Sequence, residues 1–276
     1  MKLRFTKMHG LGNDFMVLDL VRQQTTLEPS LIRAWAERKT GVGFDQLLVL
    51  EASQQPECDF AYRIFNADGG EVEHCGNGAR CIARFVHDQG LSDKSSLVFA
   101  MARGRMRTFL EADGLVRVDM AAPILEPAQI PFHAAARATV YPLEVGGTVY
   151  EISAVSMGNP HAVQVVADVD NAPVAETGPL IERHPHFPQG VNAGFMQLVD
   201  TSTIRLRVFE RGTGETLACG TGACAAVVAG RLRGLLEEEV EVHTRGGILR
   251  IRWQGENEPV WMTGPATSVY EGQLTI

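Results

Sequence analysis

Residues 65–79 and 209–223 carry the same pattern twice. The first copy reads Phe65-Asn66-Ala67-Asp68-Gly69-Gly70-Glu71-Val72-Glu73-His74-Cys75-Gly76-Asn77-Gly78-Ala79, and the second Phe209-Glu210-Arg211-Gly212-Thr213-Gly214-Glu215-Thr216-Leu217-Ala218-Cys219-Gly220-Thr221-Gly222-Ala223. Seven of the fifteen positions are identical without a gap, cysteine among them. Other segments echo in the same order. Gly12-Asn13 returns as Gly158-Asn159, Gly43-Phe44-Asp45-Gln46-Leu47 as Gly194-Phe195-Met196-Gln197-Leu198, and Val118–Pro123 as Val260–Pro265. The repeat is about half of a 276-residue chain. Solenoid units run roughly 20–50 residues, so this length points to two similar domains, each burying its own core. The boundaries expected are 1–120 with a returning C-terminal strand at 266–276, and 121–265.

A 45% hydrophobic content supplies two cores, and 21% charged residues is ordinary for a soluble chain. No apolar run reaches the roughly 18–20 residues that span a bilayer, and the alternating start Met1–Thr6 is no secretory signal. A formal charge of −8 argues against a nucleic-acid partner, and the Arg-X-Arg pairs read as exposed strand faces and helix ends. Five cysteines is an odd number, which with no targeting segment points to the cytoplasm and against a disulfide framework. Cys58, Cys81 and Cys224 read as small buried hydrophobes. The spacings Cys75-x5-Cys81 and Cys219-x4-Cys224 are not those of a zinc knuckle, so no metal is expected.

Most of the chain reads as short strands joined by turns. Asp113-Gly114, Gly146-Gly147 and Gly246-Gly247 are hairpin signals between alternating segments. Helical spacing predicts helices over Pro29–Lys39, Pro173–His184, Gly76–Gln89 and Gly220–Arg233, the last two stopping at Gly90 and Gly234. The helix after each paired cysteine is small-residued and largely apolar, so it needs to be surrounded. The fold class expected is α+β: two similar domains, each a curved, barrel-like sheet around a central helix. No phosphate-binding glycine loop and no regular βαβ alternation is present.

Each paired cysteine precedes a Gly-x-Gly-Ala run at a helix start. Glycines there leave first-turn N–H groups open to an anion such as a carboxylate. A helix start can also lower a thiol from ~8.5 into the range of a reactive thiolate. The motif therefore offers a reactive sulfur beside a carboxylate cradle, twice. Two equivalent thiols can remove a proton from one face of a carbon and return it to the other.

With Asn66-Ala67-Asp68-Gly69, Cys75–Cys81, Glu210-Arg211-Gly212 and Cys219–Gly222, the chain resembles the diaminopimelate epimerase family. His9-Gly10-Leu11-Gly12-Asn13-Asp14-Phe15, Gly41–Gln46, Gly158-Asn159-Pro160-His161 and Gly264-Pro265-Ala266 extend the resemblance over essentially the whole chain. The resemblance implies an active site in a cleft between the domains, with Cys75 and Cys219 as the two bases. It implies that Asn13, Gln46, Asn66, Asn159 and Asn192 bind substrate. Glu210 and Arg211 would hold the ammonium and carboxylate of the non-reacting end. Gly76-Asn77 and Gly220-Thr221 would hold the reacting carboxylate, and His161 and Glu210 would adjust the acidity of the cysteines. It implies a homodimer with Tyr270 at the contact, a small-molecule substrate, no cofactor, and no nucleic-acid or membrane partner.

The activity implied interconverts LL- and meso-2,6-diaminopimelate. A two-cysteine relative such as proline racemase is the nearest alternative, but proline has no second ammonium–carboxylate end to occupy Glu210-Arg211. A thiol redox protein would need a C-x-x-C or peroxidatic site, and neither is in the chain. A dicarboxylate-binding protein without chemistry would leave the matched sulfurs without a purpose.

Overall fold

The computed structural model describes residues 2–72, 76–102 and 104–275. The chain forms two compact units, residues 1–119 with 263–276, and residues 120–262. The first unit opens with β1 (Lys2–Gly10), β2 (Asn13–Asp19), α1 (Pro29–Ala36), β3 (Gln46–Ala52), β4 (Phe60–Asn66), β5 (Glu71–Val72), α2 (Gly76–Asp88), β6 (Ser96–Ala100), β7 (Arg105–Leu110) and β8 (Val116–Asp119). The second contains β9 (Tyr141–Val145), β10 (Thr148–Ser156), β11 (Pro160–Val165), α3 (Val174–Glu182), β12 (Asn192–Leu198), β13 (Thr203–Glu210), β14 (Gly214–Glu215), α4 (Gly220–Leu232), β15 (Glu239–Thr244) and β16 (Gly247–Arg252). After β17 (Trp261–Gly264), β18 (Thr267–Thr275) returns to pair antiparallel with β1.

The two units share one topology, as the repeated sequence demands. In the first, β1 runs antiparallel to β2, β2 parallel to β3, β3 antiparallel to β4, β4 parallel to β6, and β6 antiparallel to β7. In the second, β10, β11, β12, β13, β15 and β16 repeat that order of parallel and antiparallel pairings. Helix α2 packs against β1, β2, β3, β7, β8 and β18, and α4 against β10, β11, β12, β13 and β16. Each unit is thus a curved sheet wrapped on a central helix, a two-domain α+β fold.

Local chemistry accounts for the element ends. Gly90 and Gly234 stop α2 and α4 in the left-handed region, φ 59° and 70°. Leu91 and Leu235 then donate back to the carbonyls of Val86 and Gly230 at 2.9 Å each. The Gly146-Gly147 turn carries positive φ at both positions, which suits a two-residue hairpin between β9 and β10. Helix α1 buries Ile32 and Trp35 in a cluster with Phe5, Met16 and Leu47 on the sheet and Phe44 in the loop before β3. Burying each such side chain contributes about 1.5–3 kcal/mol.

Ladder register corrects one sequence echo. Phe15 pairs with Gln46 across the parallel β2–β3 ladder, and His161 pairs with Asn192 across β11–β12. The counterpart of Gln46 is therefore Asn192. Gln197, the match by motif, lies opposite Arg205 farther along β12. The loops before β3 and β12 differ in sequence, and pairing geometry overrides the residue match. A second correction concerns α2: Arg80 on this largely apolar helix is fully buried. Its Nε donates to the Pro265 carbonyl and its Nη2 to Asn77 Oδ1, each at 3.0 Å. Among the described residues, no helix is long and apolar enough to cross a membrane.

Candidate active site

The second unit gathers its chemistry at one end of its sheet. Strands β11 and β12 begin there, β13 ends there, and α4 starts there. Cys219 is the N-cap of α4, with extended backbone (φ −111°, ψ 109°) and only 5% exposure. Its Sγ lies 3.6 Å from Thr221 Oγ1, and the Gly222 N–H points to the sulfur. A Cβ on Gly222 would sit 2.9 Å from Val208 Cγ2 and 3.2 Å from Cys219 Sγ. The second glycine of Gly-x-Gly is thus required by the close approach of sulfur and strand.

At Cys219 burial works against the helix start. Its thiol is held well above the ordinary value by burial, reinforced by the neighbouring Glu210 carboxylate. The Thr221 hydroxyl and the Gly222 N–H work the other way and do not win. The Cys219 thiol donates to the Glu210 carboxylate. Burial also raises Glu210, against hydrogen bonds from Thr216 Oγ1 and the Cys219 thiol. Thr216 had no sequence signal beyond its place in the motif.

His161 is 1% exposed, and its Nε2–H donates to Asn159 Oδ1 at 3.1 Å. Its Nδ1 is buried without a hydrogen-bond partner. Burial, and secondarily the Arg211 charge, push its pKa down to about 3, so the ring is neutral near pH 7. Asn192 is engaged at both ends: Nδ2 donates to the Pro160 carbonyl at 3.1 Å and Oδ1 accepts from the Arg211 N–H at 2.9 Å. The Arg211 side chain is exposed, with Nη1 donating to the Gln189 carbonyl at 2.7 Å. Gly220 is buried at the first helical position beside half-exposed Thr221.

The first unit repeats the arrangement with different side chains. Asn13 opens β2, Gln46 opens β3, Asn66 closes β4, and Gly76-Asn77 opens α2. Gln46 Nε2 donates to Asn66 Oδ1 at 2.9 Å, which leaves the buried Gln46 Oε1 without a partner. Asn77 is buried and its Nδ2 donates to Asn13 Oδ1 at 3.4 Å, while Asn13 Nδ2 donates to Asp45 Oδ2 at 3.0 Å. A charged network backs this loop. Burial opposes ionisation of Asp14, but hydrogen bonds from Arg38 and Lys7 hold its carboxyl well below the usual range. Cys75 lies outside the described residues. Tyr270 is on β18, 47% exposed, in edge contact with Phe5 at 6.0 Å and opposite Lys7 in the β1–β18 ladder. Among the described residues, no group of three or more His, Cys, Asp or Glu could hold a metal.

Comparison with known proteins places this geometry. The model of the family described as diaminopimelate epimerase matches residues 5–126 and 153–269, one stretch per half. Diaminopimelate epimerases of Nitrosomonas europaea and Aromatoleum aromaticum are each 62% identical over 276 residues, covering 100% of both chains. A PhzF-family phenazine biosynthesis protein of Enterococcus faecalis superposes with a TM-score of 0.73 at 15% identity, covering 100% of each chain. A hydroxyproline epimerase of Agrobacterium vitis does so with 0.71 at 15%, over 99% of this chain and 92% of that one. At such identities these structures speak to the fold alone.

Proposed function

The chain belongs to the diaminopimelate epimerase family and is an isomerase that interconverts LL- and meso-2,6-diaminopimelate, and we propose that Cys75 and Cys219 are the two bases of that reaction. The observation that carries the assignment is the duplication itself: one topology twice, with one cysteine before the central helix of each copy. The product feeds lysine biosynthesis.

The α-hydrogen of an amino acid is very weakly acidic, so proton removal needs strong stabilisation of the carbanion. One sulfur enters as thiolate and takes the α-proton, forming an S–H bond. The C–H electron pair delocalises into the α-carboxylate, which sits on the first-turn N–H groups of Gly76-Asn77 and Gly220-Thr221. The other sulfur, entering as thiol, delivers its proton to the opposite face and leaves as thiolate. Burial and the Glu210 carboxylate raise the Cys219 thiol, which suits it to enter as the proton donor. The pair exchanges roles with each turnover and titrates as one coupled unit.

His161 is a neutral buried ring whose unpaired nitrogen adjusts the polarity around the thiol, and Glu210 holds the thiol proton. Asn13, Gln46, Asn66 and Asn159 bind substrate, with Gln46 Oε1 as an open acceptor for an ammonium group. Asn192 binds substrate with them, and holds the Pro160 and Arg211 backbone beside Asn159. Glu210 and Arg211 read the distal ammonium and carboxylate. The mechanism calls for no metal or pyridoxal phosphate, because the thiols perform both proton transfers and the helix starts stabilise the carbanion charge. The protein acts in the cytoplasm as a homodimer.

Epimerisation and α-deuterium incorporation in D2O test the assignment. Cys75→Ser and Cys219→Ser should each abolish epimerisation, since a hydroxyl is far too weak a base. Turnover near wild type in either variant overturns the two-base reading.

A further inference from the structure

Glu182 is a buried acidic residue with a defined partner. It is the last residue of α3, at the negative end of the helix, and it is only 8% exposed. Its Oε1 accepts the Gly212 N–H at 2.8 Å. The Arg183 guanidinium lies 3.6 Å from Oε2, but its side chain is 83% exposed and screened by water. The buried partner of this carboxylate is therefore the backbone of the Glu210-Arg211-Gly212 turn.

The surrounding bonds converge on the same turn. Asn192 Oδ1 accepts the Arg211 N–H, and the Gln189 carbonyl accepts from its guanidinium. The Glu182 carbonyl accepts the Val191 N–H at 3.1 Å, tying the helix end to this segment. Gly190 has φ +72°, and a Cβ there would lie 2.9 Å from Arg211 Cδ. The end of α3 and residues 189–192 thus lie against the stem of the exposed Arg211 side chain and grip the Arg211 and Gly212 N–H groups.

The duplication supplies an internal control. Helix α1 ends ten residues before Gln46, as α3 ends ten before Asn192, so Ala36 stands where Glu182 stands. The matching turn in the first unit is Asn66-Ala67-Asp68, with Ala67 in place of Arg211. That turn is gripped from outside, by Arg33 Nη1 donating to the Asp68 carbonyl at 3.0 Å. Of these two matched positions, the buried glutamate stands in the copy whose turn bears the arginine.

We propose that Glu182 is a positioning residue for Arg211, and through it sets the affinity and selectivity for the distal carboxylate of the substrate. This rests on the distal role given to Arg211 above. It requires an acceptor at Oε1, so Gln serves at position 182 while Ala and Asp, too short to reach, do not.

Steady-state kinetics on LL-diaminopimelate, with thermal melting, test it in Glu182→Ala, Glu182→Asp, Glu182→Gln, Arg211→Ala and the Glu182→Ala/Arg211→Ala pair. Misplacing a binding group can cost up to about 100-fold. Glu182→Ala and Glu182→Asp should raise KM by about 10- to 100-fold with kcat within about threefold, and Glu182→Gln should restore KM. The double variant should match Arg211→Ala alone, because the two act as one unit. Should Ala fail to fold, Asp against Gln gives the same comparison. A lowered melting temperature with unchanged KM, additive effects in the pair, or Gln no better than Asp each overturns the positioning role. An unchanged KM in Arg211→Ala instead overturns the distal pocket, and with it the basis of this inference.

Discussion

The Cys219 thiol donates its hydrogen bond to the Glu210 carboxylate at the start of α4, and the carboxylate opposes loss of that proton. Burial is the larger cause of the raised thiol pKa, and Glu210 the next. Glu210→Gln keeps the shape and removes the charge. Ligand-free Cys219 should therefore react slowly with iodoacetamide near pH 8, and faster in Glu210→Gln. The alkylation rate at Cys219, followed by peptide mapping from pH 7 to 10, checks this. An unchanged profile in the variant would remove Glu210 from control of the thiol.

The remaining cysteines separate stability from catalysis. Cys81 and Cys224 are fully buried in the central helices, and Cys58 is 8% exposed at a loop. Serine at 81 or 224 places a hydroxyl in an apolar site and should cost about 1–3 kcal/mol of stability. Cys58→Ser should be close to neutral. All three should keep kcat within about twofold at temperatures where they are folded. Urea titration with parallel activity assays distinguishes the two effects.

Acid should weaken the second unit through His161. Its pKa is about 3 folded against 6.5 unfolded, so between those values the unfolded chain binds the extra proton. Stability is therefore present above about 6.5 and is lost as pH falls toward 3, by up to ~1.4 kcal/mol per pH unit. His161→Gln removes the titrating group. Urea midpoints of wild type and variant from pH 4 to 8 should show a shallower slope in the variant, and parallel slopes would refute the assignment.

Substrate range should follow the distal end. Lysine lacks the distal carboxylate and glutamate the distal ammonium, so each leaves part of the Glu210–Arg211 pair unmatched. Sites built to bond a missing group discriminate by roughly 10⁴–10⁵. The DD isomer exchanges the positions of ammonium and carboxylate and should also be refused. α-Proton exchange on LL, meso, DD, lysine and glutamate measures this directly, with turnover expected on the first two only.

Tyr270 is half exposed on β18, next to exposed Val269, in edge contact with Phe5. An exposed aromatic on an edge strand is a typical anchor of a subunit contact. Sedimentation equilibrium should find a wild-type dimer at micromolar concentration and a weakened one in Tyr270→Ala. A monomeric wild type would rule out the homodimer.

The sequence by itself determined what local chemistry can write. Matching motifs at Cys75 and Cys219 implied a duplicated fold, and the two units repeat one order of strand pairings. Gly90 and Gly234 marked helix ends, and Asp113-Gly114 and Gly146-Gly147 marked hairpins, because positive φ is a property of one or two residues. Tertiary structure alone decided the quantities that depend on distant neighbours. Strand register made Asn192, not Gln197, the partner of Gln46. Burial beside Glu210 raised the Cys219 thiol although it stands at a helix start, since desolvation outweighs a few N–H dipoles. The burial of Arg80 and the grip of Glu182 on Gly212 were equally invisible, because a charged residue on a helix reads as a solvated one until the fold encloses it.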